Sequence, residues 1–226
     1  MNNINYRYEI KYFMENFDYE LIRSKLRLFM NSDSHSDDNG EYRITSLYFD
    51  DVYNSAYNEK MNGLMFRKKF RIRIYNYDDK SIKLEQKIKH GQLGYKKNVF
   101  ITKDDFYRII NGDTDFLKNS DSPLLREFYI KTVNNVLKPD VIVDYVREAY
   151  VLDVSDIRIT FDKNIRSSKS SYDIFDRNLP MMNSVESYVM EVKYNNFLPD
   201  YIKKIIGMGS RNQQSISKFV SSKIFA

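Results

Sequence analysis

The sequence of 226 residues contains no cysteine. This absence excludes disulfide bonds, thiolate metal sites, iron–sulfur clusters and cysteine nucleophiles. Glycine and proline are also scarce, with seven and four residues, and neither GxGxxG nor GxxxxGK[ST] occurs in the chain. Glycine-rich loops that cradle phosphate are therefore not expected. Any phosphate site in this protein has to be built from side chains.

Long apolar runs are missing as well. No stretch approaches the length needed to cross a bilayer, and residues 1–11 carry Arg7, Glu9 and Lys11 where a signal peptide would be apolar. Together with the absence of cysteine, these features predict a soluble, cytoplasmic protein.

Charge is abundant and nearly balanced. The chain has 36 Lys and Arg against 31 Asp and Glu, a net charge of +5, and its 19 Tyr and 15 Phe supply bulk for one sizeable core. Such a mild basic excess occurs both in nucleic-acid-binding domains and in many other soluble proteins. The placement of the charges therefore has to decide the function.

Seven segments alternate polar and apolar residues with period two, which predicts β-strands. They are Arg7–Tyr12, Tyr42–Phe49, Lys69–Tyr75, Ser81–Lys89, Val141–Val151, Ile157–Phe161 and Tyr188–Tyr194. Three- and four-residue spacing of apolar residues predicts helices between them. These are Asp18–Met30, Lys103–Asn111 behind a Thr102/Asp105 capping box, a helix that opens at Ser122–Pro123 and closes at Pro139, and two short helices between Pro199 and Ile224, broken around Gly207–Gly209.

The order of these elements indicates one domain over residues 1–226. The two polar loops, Asn31–Gly40 and Ser167–Asn178, do not separate segments with complete cores. Strands outnumber helices and no βαβ rhythm is present, so the predicted class is α+β around an antiparallel sheet or barrel.

Two neighbouring strands carry rows of charge on one face. The rows are Lys69, Arg71 and Arg73 in the first strand, and Lys83, Glu85, Lys87 and Lys89 in the second. If the two strands form a hairpin, cations oppose one another across it, which is unfavourable unless an anion lies between them. Any single half-buried strand shows polar residues outward, but a mostly basic face that recurs in five or six strands favours a site for a polyanion.

Charged faces that point into a closed barrel would make a basic tunnel, with the apolar faces outside under amphipathic helices. A few carboxylates among many cations suit a divalent ion that bridges phosphate oxygens. Glu9, Glu85 and Glu191 are the candidate ligands, and their hard oxygen atoms indicate magnesium or manganese. The two histidines, His35 and His90, are predicted to be surface residues.

The order of these motifs resembles the VTC domain, the polyphosphate polymerase branch of the triphosphate tunnel metalloenzymes. Eight blocks carry the resemblance in family order: RYEIKY from Arg7, TSLYFDD from Thr45, KKFRIRIY from Lys68, KLEQKIK from Lys83, YVREAY from Tyr145, IRITFDKNIR from Ile157, VMEVKY from Val189 and SISKF from Ser215. The resemblance implies an antiparallel β-tunnel with a basic interior that transfers the γ-phosphate of ATP to a growing polyphosphate chain and releases ADP.

The resemblance also implies roles for residues at matching positions. Catalytic contacts to the nucleotide and product fall to Lys11, Arg71, Arg73, Lys83, Arg147 and Arg158. Further substrate contacts fall to Tyr145, Lys87, Lys193, Ser217, Lys218 and one of Lys96 and Lys97. Glu191 would coordinate Mn²⁺ or Mg²⁺, with Glu9 and Glu85 as further candidates.

One departure from the wider superfamily concerns its ExExK motif, whose first position is Arg7 here. Loss of that carboxylate fits the polymerase branch better than the hydrolases. The resemblance further implies a membrane protein that receives the polymer at the inner face of the membrane.

Three alternatives stay open at this stage. They are a tripolyphosphatase or nucleoside triphosphatase of the same fold, a catalytically silent polyphosphate-binding subunit, and a nucleic-acid-binding protein. The last is disfavoured, because abundant tyrosine in alternating strands is more often ordinary sheet packing than a base-stacking platform.

Overall fold

The computed structural model describes residues 6–153 and 156–225 and contains one antiparallel sheet. Its strands are β1 (Arg7–Met14), β2 (Asn31–Ser32), β3 (Glu41–Asp50), β4 (Phe66–Tyr75), β5 (Asp78–His90), β6 (Leu93–Ile101), β7 (Lys138–Leu152), β8 (Ile157–Ser168), β9 (Met182–Val185) and β10 (Tyr188–Tyr194). The helices are α1 (Asn16–Leu26), α2 (Ser55–Met61), α3 (Lys103–Ile110), α4 (Pro123–Asn134), α5 (Asp200–Ile205) and α6 (Lys218–Phe225). Residues 1–5, part of the segment that argued against a signal peptide, lie outside the described residues.

Eight of these strands close into a barrel. The order β7-β3-β4-β5-β6-β1-β10-β8 returns to its start because β7 also pairs with β8. The long strand β7 therefore has β3 on one side and β8 on the other, while β2 and β9 add short pairings to β7 and β8. Closure satisfies the strand edges that an open sheet would leave unpaired.

One apolar cluster covers the outside of β1, β10 and β8. Ile10, Ile159 and Met190 point outward from these strands and pack with Ile22 of α1 and Ile202 of α5. Because side chains alternate across a strand, the intervening residues of the same strands point into the barrel. The predicted arrangement, with helices over the apolar outer faces, is confirmed here.

A second cluster covers the outside of β4 and β5. Ile72 and Leu84 pack against Phe106 of α3 and Phe128 of α4, and all four side chains are fully buried. The Thr102/Asp105 capping box fixes the start of α3, since the Asp105 amide donates to Thr102 Oγ1 at 3.0 Å and the Thr102 amide donates to Asp105 Oδ2 at 2.9 Å.

The interior of the barrel is partly apolar, which the sequence did not predict. Val141 and Val143 of β7 pack with Tyr48 of β3 and with Ile216 and Phe219 at the start of α6. Tyr48, Ile216 and Phe219 also line the interior cavity, so this cluster lies on the inner side of the sheet. The start of α6 therefore fills part of the barrel.

The seven predicted strands are all present, and β2, β6 and β9 were missed. The helix that opens at Pro123 ends at Asn134, so the prediction that Pro139 closes it is wrong. Pro139 instead lies near the start of β7, opposite Phe49, at a register shift of the ladder. Proline is tolerated at such a position because the ladder there is already irregular.

Candidate active site

The barrel encloses a cavity of about 470 Å³ that is lined mainly by cations. Twelve Lys and Arg side chains line it, against two carboxylates, Glu9 and Glu191. The strands β1, β4, β5, β7 and β10 supply nine of these cations from their inner faces, and Lys60 from α2, Lys218 from α6 and Lys68 complete the lining. So large an excess of positive charge in a cleft attracts an anion that carries several charges.

The register of the β4–β5 hairpin sets cations opposite cations, as the alternating rows predicted. Arg67 faces Lys89, Lys69 faces Lys87 and Arg73 faces Lys83, whereas Arg71 faces Glu85. Like charges directly opposite each other destabilise a sheet. Repulsion between these cations therefore opposes the pairing of β4 and β5, and a bound polyanion would reduce it.

Arg71 and Arg73 are held rigidly in the middle of the barrel. Arg71 donates to Glu85 Oε2 at 2.7 Å and to the Tyr48 hydroxyl at 3.0 Å. Arg73 donates to the Tyr145 hydroxyl at 3.2 Å and is 6% exposed. Although burial by itself would lower their pKa values, Glu85 and the neighbouring tyrosines keep the pKa of each guanidinium raised. Both guanidinium groups therefore stay charged, with remaining N–H groups available to phosphate oxygens.

Glu9 of β1 and Glu191 of β10 lie on neighbouring strands, and lysines surround both carboxylates. Lys87 donates to both oxygens of Glu9 at 2.8 and 2.7 Å, and Lys193 lies 3.0 Å from Glu191 Oε1. Burial by itself would raise the pKa of both carboxyls, but Lys87, Lys193 and Lys11 lower it well below the usual range. Both groups are therefore ionised.

These two carboxylates fit a divalent ion of a particular kind. Among the described residues no three acidic or histidine side chains come together, so a metal held by the protein alone does not fit. Mg²⁺ and Mn²⁺ are commonly held by one or two carboxylates together with phosphate oxygens and water. Glu9 and Glu191 fit that arrangement, in which the phosphate ligand completes the coordination.

Asp162 of β8 anchors two predicted site residues, a role that the sequence did not reveal. Arg147 donates to its two oxygens at 2.6 and 2.8 Å, and Lys218 forms an ion pair with it. Asp162 is fully buried, and although burial alone would raise its pKa, Arg147 and Lys218 lower it to about 2. The alternation that places Arg158 and Asp162 on one face of β8 was the available signal.

The segment before α6 forms one wall of the cavity. The Gln214 amide donates to the Lys11 carbonyl at 2.8 Å, and Lys11 Nζ donates to the Ile216 carbonyl at 3.2 Å. Ser217 precedes the helix, and its Oγ accepts from the Val220 amide at 3.4 Å. Ser217 and Lys218, which the family resemblance named as substrate contacts, both line the cavity.

Lys69 and Tyr48 line the cavity but were not among the predicted site residues. Lys69 Nζ lies 5.1 Å from the centroid of the Tyr48 ring, and among the described residues no carboxylate forms an ion pair with it. Burial, with Lys87, Lys11 and Arg71 nearby, lowers the pKa of Lys69 to about 7, although Tyr48 opposes the shift. Lys69 stands in the same alternating row as Arg71 and Arg73, which was the signal for it.

Four predicted cations lie outside the cavity lining. Lys83 lies over the Phe100 ring, 5.0 Å from its centroid, and Arg158 donates to the Tyr42 hydroxyl at 2.9 Å and pairs with Asp33. Lys96 and Lys97 complete this set. The structure thus places Lys83 and Arg158, and both candidates for the further basic contact, outside the cavity that Arg71 lines.

Lys96 and Lys97 have different partners, and Glu85 lies apart from the cavity carboxylates Glu9 and Glu191. Lys96 faces Lys87 across β5 and β6 and donates to Glu85 Oε1 at 2.8 Å, whereas Lys97 faces Glu127 of the outer helix α4 at 3.9 Å. Glu85 does not line the cavity. Its two carboxylate oxygens accept hydrogen bonds from Arg71 and Lys96. Its predicted role as a metal ligand has no support in this geometry.

Comparison with known proteins gives a family match and a fold. A family model described as the VTC domain matches residues 6–224. A protein from Hippeastrum, named as an adenylyl cyclase with a dominant triphosphatase activity, is 12% identical with a TM-score of 0.51 over 89% of this chain and 84% of its own. A protein from Bacillus halodurans, named as an adenylate cyclase, is 13% identical with the same TM-score over 93% and 94%. Comparison with curated proteins gives no match.

Identities this low establish a shared architecture and leave the activity to be argued from the cavity itself. No described helix is long and apolar enough to span a membrane. The cavity inside the closed barrel has many cations and few carboxylates, and this charge distribution suits the binding of a multiply charged anion.

Proposed function

This chain belongs to the VTC domain family and has the triphosphate tunnel fold, and we propose that it is a metal-dependent polyphosphate polymerase that uses ATP. The observation that carries the proposal is the cavity lining of twelve cations against two carboxylates. A single phosphate would leave most of this charge unmatched. A linear chain of phosphates, with charge on every unit, matches a cavity whose cations come from several strands.

The reaction needs positioning and charge neutralisation more than a general base. An oxygen of the terminal phosphate of the growing chain attacks the γ-phosphorus of ATP, and the bond between that phosphorus and the β–γ bridging oxygen breaks. The bridging oxygen leaves on ADP with the electron pair. The nucleophile is already an anion, so no proton has to be removed before attack.

Arg71 and Arg73 are the residues placed to stabilise the transferring group. Each keeps its charge through buried partners and presents N–H groups in a fixed plane, so no reorganisation is needed as charge spreads over the equatorial oxygens. Arg147 is fixed in the same way by Asp162. Lys11, Lys87 and Lys193 surround the two carboxylates and supply compact charge for the remaining oxygens.

Mn²⁺ or Mg²⁺ held by Glu191 and Glu9 would neutralise charge on the phosphates when it is bound. Lys193 and Arg147 keep Glu191 ionised and oriented toward the cavity. We propose Glu191 as the main ligand because it shares fewer lysines than Glu9, which has Lys11, Lys87 and Lys89 within 4 Å.

The proposed cellular context follows the same chemistry. We propose a cytoplasmic location, with the product passed to a membrane protein. Single-stranded nucleic acid is a poor fit, because the aromatic rings near the cavity pack against cations and one another, as with Tyr48 and Phe219, and are not open to base stacking.

The decisive experiment incubates the purified protein with ATP and Mn²⁺ and follows ADP release together with polyphosphate length on a gel. We expect ladders of long polymer for the wild type and their loss in Glu191→Gln. Lys80→Gln is the matched control, since Lys80 is a cation of β5 whose side chain is 87% exposed and which does not line the cavity.

Other outcomes would select a different function. ADP or pyrophosphate with free phosphate and no polymer would identify a hydrolase of the same fold. Tight binding of polyphosphate without turnover would identify a silent binding subunit. Normal polymer from Arg73→Ala, with its cavity cation removed, would contradict the proposed site.

A further inference from the structure

An exposed apolar tip stands at the rim of the cavity, between α2 and β4. It consists of Met61, Leu64, Met65 and Phe66, whose exposed fractions are 56%, 49%, 65% and 55%. Four large apolar side chains within six residues form a local concentration of apolar surface, unlike single apolar residues scattered over a surface.

The tip is a fixed part of the fold. The Leu64 amide donates to the Glu59 carbonyl at 3.0 Å, the Gly91 amide donates to the Met65 carbonyl at 2.8 Å, and Phe66 pairs with His90 in the β4–β5 ladder. A side chain added at Gly63 or Gly91 would meet no heavy atom within 4 Å. The fold therefore holds the tip in place and leaves open space beside it.

Basic side chains flank the tip on the cavity side. Lys60 and Arg67 border it in sequence and line the cavity, and Lys89 faces Arg67 across the hairpin. Among the described residues, neither Lys60 nor Arg67 forms an ion pair with a carboxylate: Lys60 donates to Ser215 Oγ and Arg67 to the Leu64 carbonyl at 2.6 Å. Lys68 Nζ lies 5.7 Å from the Phe66 ring centroid and forms an ion pair with Glu127 of α4. The surroundings of the tip are thus positively charged.

We propose that the apolar tip docks onto an anionic lipid bilayer, with its side chains in the boundary between headgroups and acyl chains and with Lys60 and Arg67 on lipid headgroups. Apolar side chains next to unpaired cations are the combination that binds such a surface. A protein interface of standard size buries about 800 Å² on each partner, more than four side chains provide. Lipid docking would hold the rim of the cavity at the membrane surface, and it does not depend on the reaction catalysed inside.

The test is co-sedimentation of the whole protein with vesicles. We expect binding to vesicles of phosphatidylcholine mixed with phosphatidylserine, weak binding to phosphatidylcholine alone, and partial loss of binding at high salt. The double variant Leu64→Gln/Met65→Gln should bind at least about tenfold more weakly, because it removes two apolar groups from the bilayer. Neither residue lines the cavity, so ADP release without vesicles should be unchanged.

The matched control is Phe17→Gln/Leu28→Gln, which removes two apolar side chains that are each 77% exposed and lie away from the rim. It should bind vesicles like the wild type. Equal vesicle binding by Leu64→Gln/Met65→Gln, or no sedimentation of the wild type with either vesicle, would overturn the proposal. In the second case the tip would have to be assigned to a protein partner.

Discussion

Lys69 lies directly opposite Lys87 in the β4–β5 hairpin, and both side chains line the cavity. Lys87 donates to both oxygens of Glu9, whereas Lys69 lies over the rings of Tyr48 and Phe219. Lys87 thus shares its charge with Glu9, whereas Lys69 forms no ion pair with a carboxylate of the described residues. Binding should therefore be coupled to the charge state of Lys69.

Ligand binding should take up protons above neutral pH. Burial and neighbouring cations lower the pKa of Lys69 to about 7 in the free protein. A bound polyanion raises that pKa, so Lys69 gains a proton on binding and affinity falls as the pH rises through 7. Titration calorimetry with tripolyphosphate at pH 8, in buffers of different ionisation enthalpy, measures this uptake.

Lys69→Gln supplies the control for that measurement, because it removes the titrating group. Proton uptake should decrease in the variant, and the uptake that remains belongs to Tyr48, whose pKa burial would raise but Arg71 and Lys69 lower to about 7. The ligand itself contributes proton release, because surrounding cations lower the pKa of a phosphate group. Equal uptake by both proteins would show that Lys69 stays charged in the free cavity.

Arg71→Ala should reduce both turnover and stability. It removes a guanidinium that we propose to stabilise the transferring phosphate, and the expected loss of turnover is at least about 100-fold. It also leaves Glu85, 1% exposed, without its closest partner, a loss of about 3–5 kcal/mol in the free energy of unfolding. Urea unfolding and the ATP assay measure the two effects separately.

Arg71→Ala/Glu85→Ala tests whether the two effects are separable. Stability should return in part, because the double variant no longer leaves the buried Glu85 carboxylate without Arg71, although Arg73 loses its more distant partner Glu85 at 4.0 Å. Turnover should stay low. Recovery of turnover in the double variant would mean that Arg71 serves only to hold Glu85.

Asp162→Asn should lower the free energy of unfolding at pH 7, and the difference from the wild type should become smaller in acid. The folded pKa of about 2 lies below the ordinary value of 3.8, so the ionised carboxylate stabilises the fold above about pH 4 and this stabilisation is lost as the pH falls toward 2. The gap in unfolding free energy between wild type and variant should narrow over that range. Asp200→Asn, whose side chain is 80% exposed, should show a much smaller gap in unfolding free energy than Asp162→Asn.

Mn²⁺ should bind much more tightly when a phosphate chain is present. Glu9 and Glu191 are surrounded by lysines, and two carboxylates leave most coordination positions to other ligands. Electron paramagnetic resonance of Mn²⁺ titrated with and without tripolyphosphate measures the difference, with Glu191→Gln as the variant expected to reduce it. Tight binding of Mn²⁺ without phosphate would indicate a site that the protein forms alone.

Much of the fold could be predicted because strand alternation is a local pattern. The rows of Arg71 and Arg73 and of Ile72 and Ile74 already separate an inner from an outer face. The missed strand β6 shows the limit: its residues Leu93–Ile101 include neighbouring lysines and break the alternation, and only pairing with β5 makes it a strand. Strand formation there depends on a partner and not on local sequence.

The candidate site was predicted less completely than the fold. Of the residues named from motif positions, Lys11, Arg71, Arg73 and Arg147 line one cavity. Arg158 lies outside that cavity lining and pairs with Asp33, which comes from a loop 125 residues away. Motif positions missed Asp162 as the shared anchor of Arg147 and Lys218.

The sequence by itself determined which residue types face each side of the seven alternating strands, because side-chain direction alternates with a fixed period of two. It also determined which family the motifs resemble. Only the tertiary structure decided which cations line the cavity and which pair with carboxylates elsewhere. Closure of the barrel through β7 and β8 and the entry of α6 set those distances. Electrostatic partners are chosen by proximity in space, and proximity between residues far apart in sequence is a property of the folded chain alone.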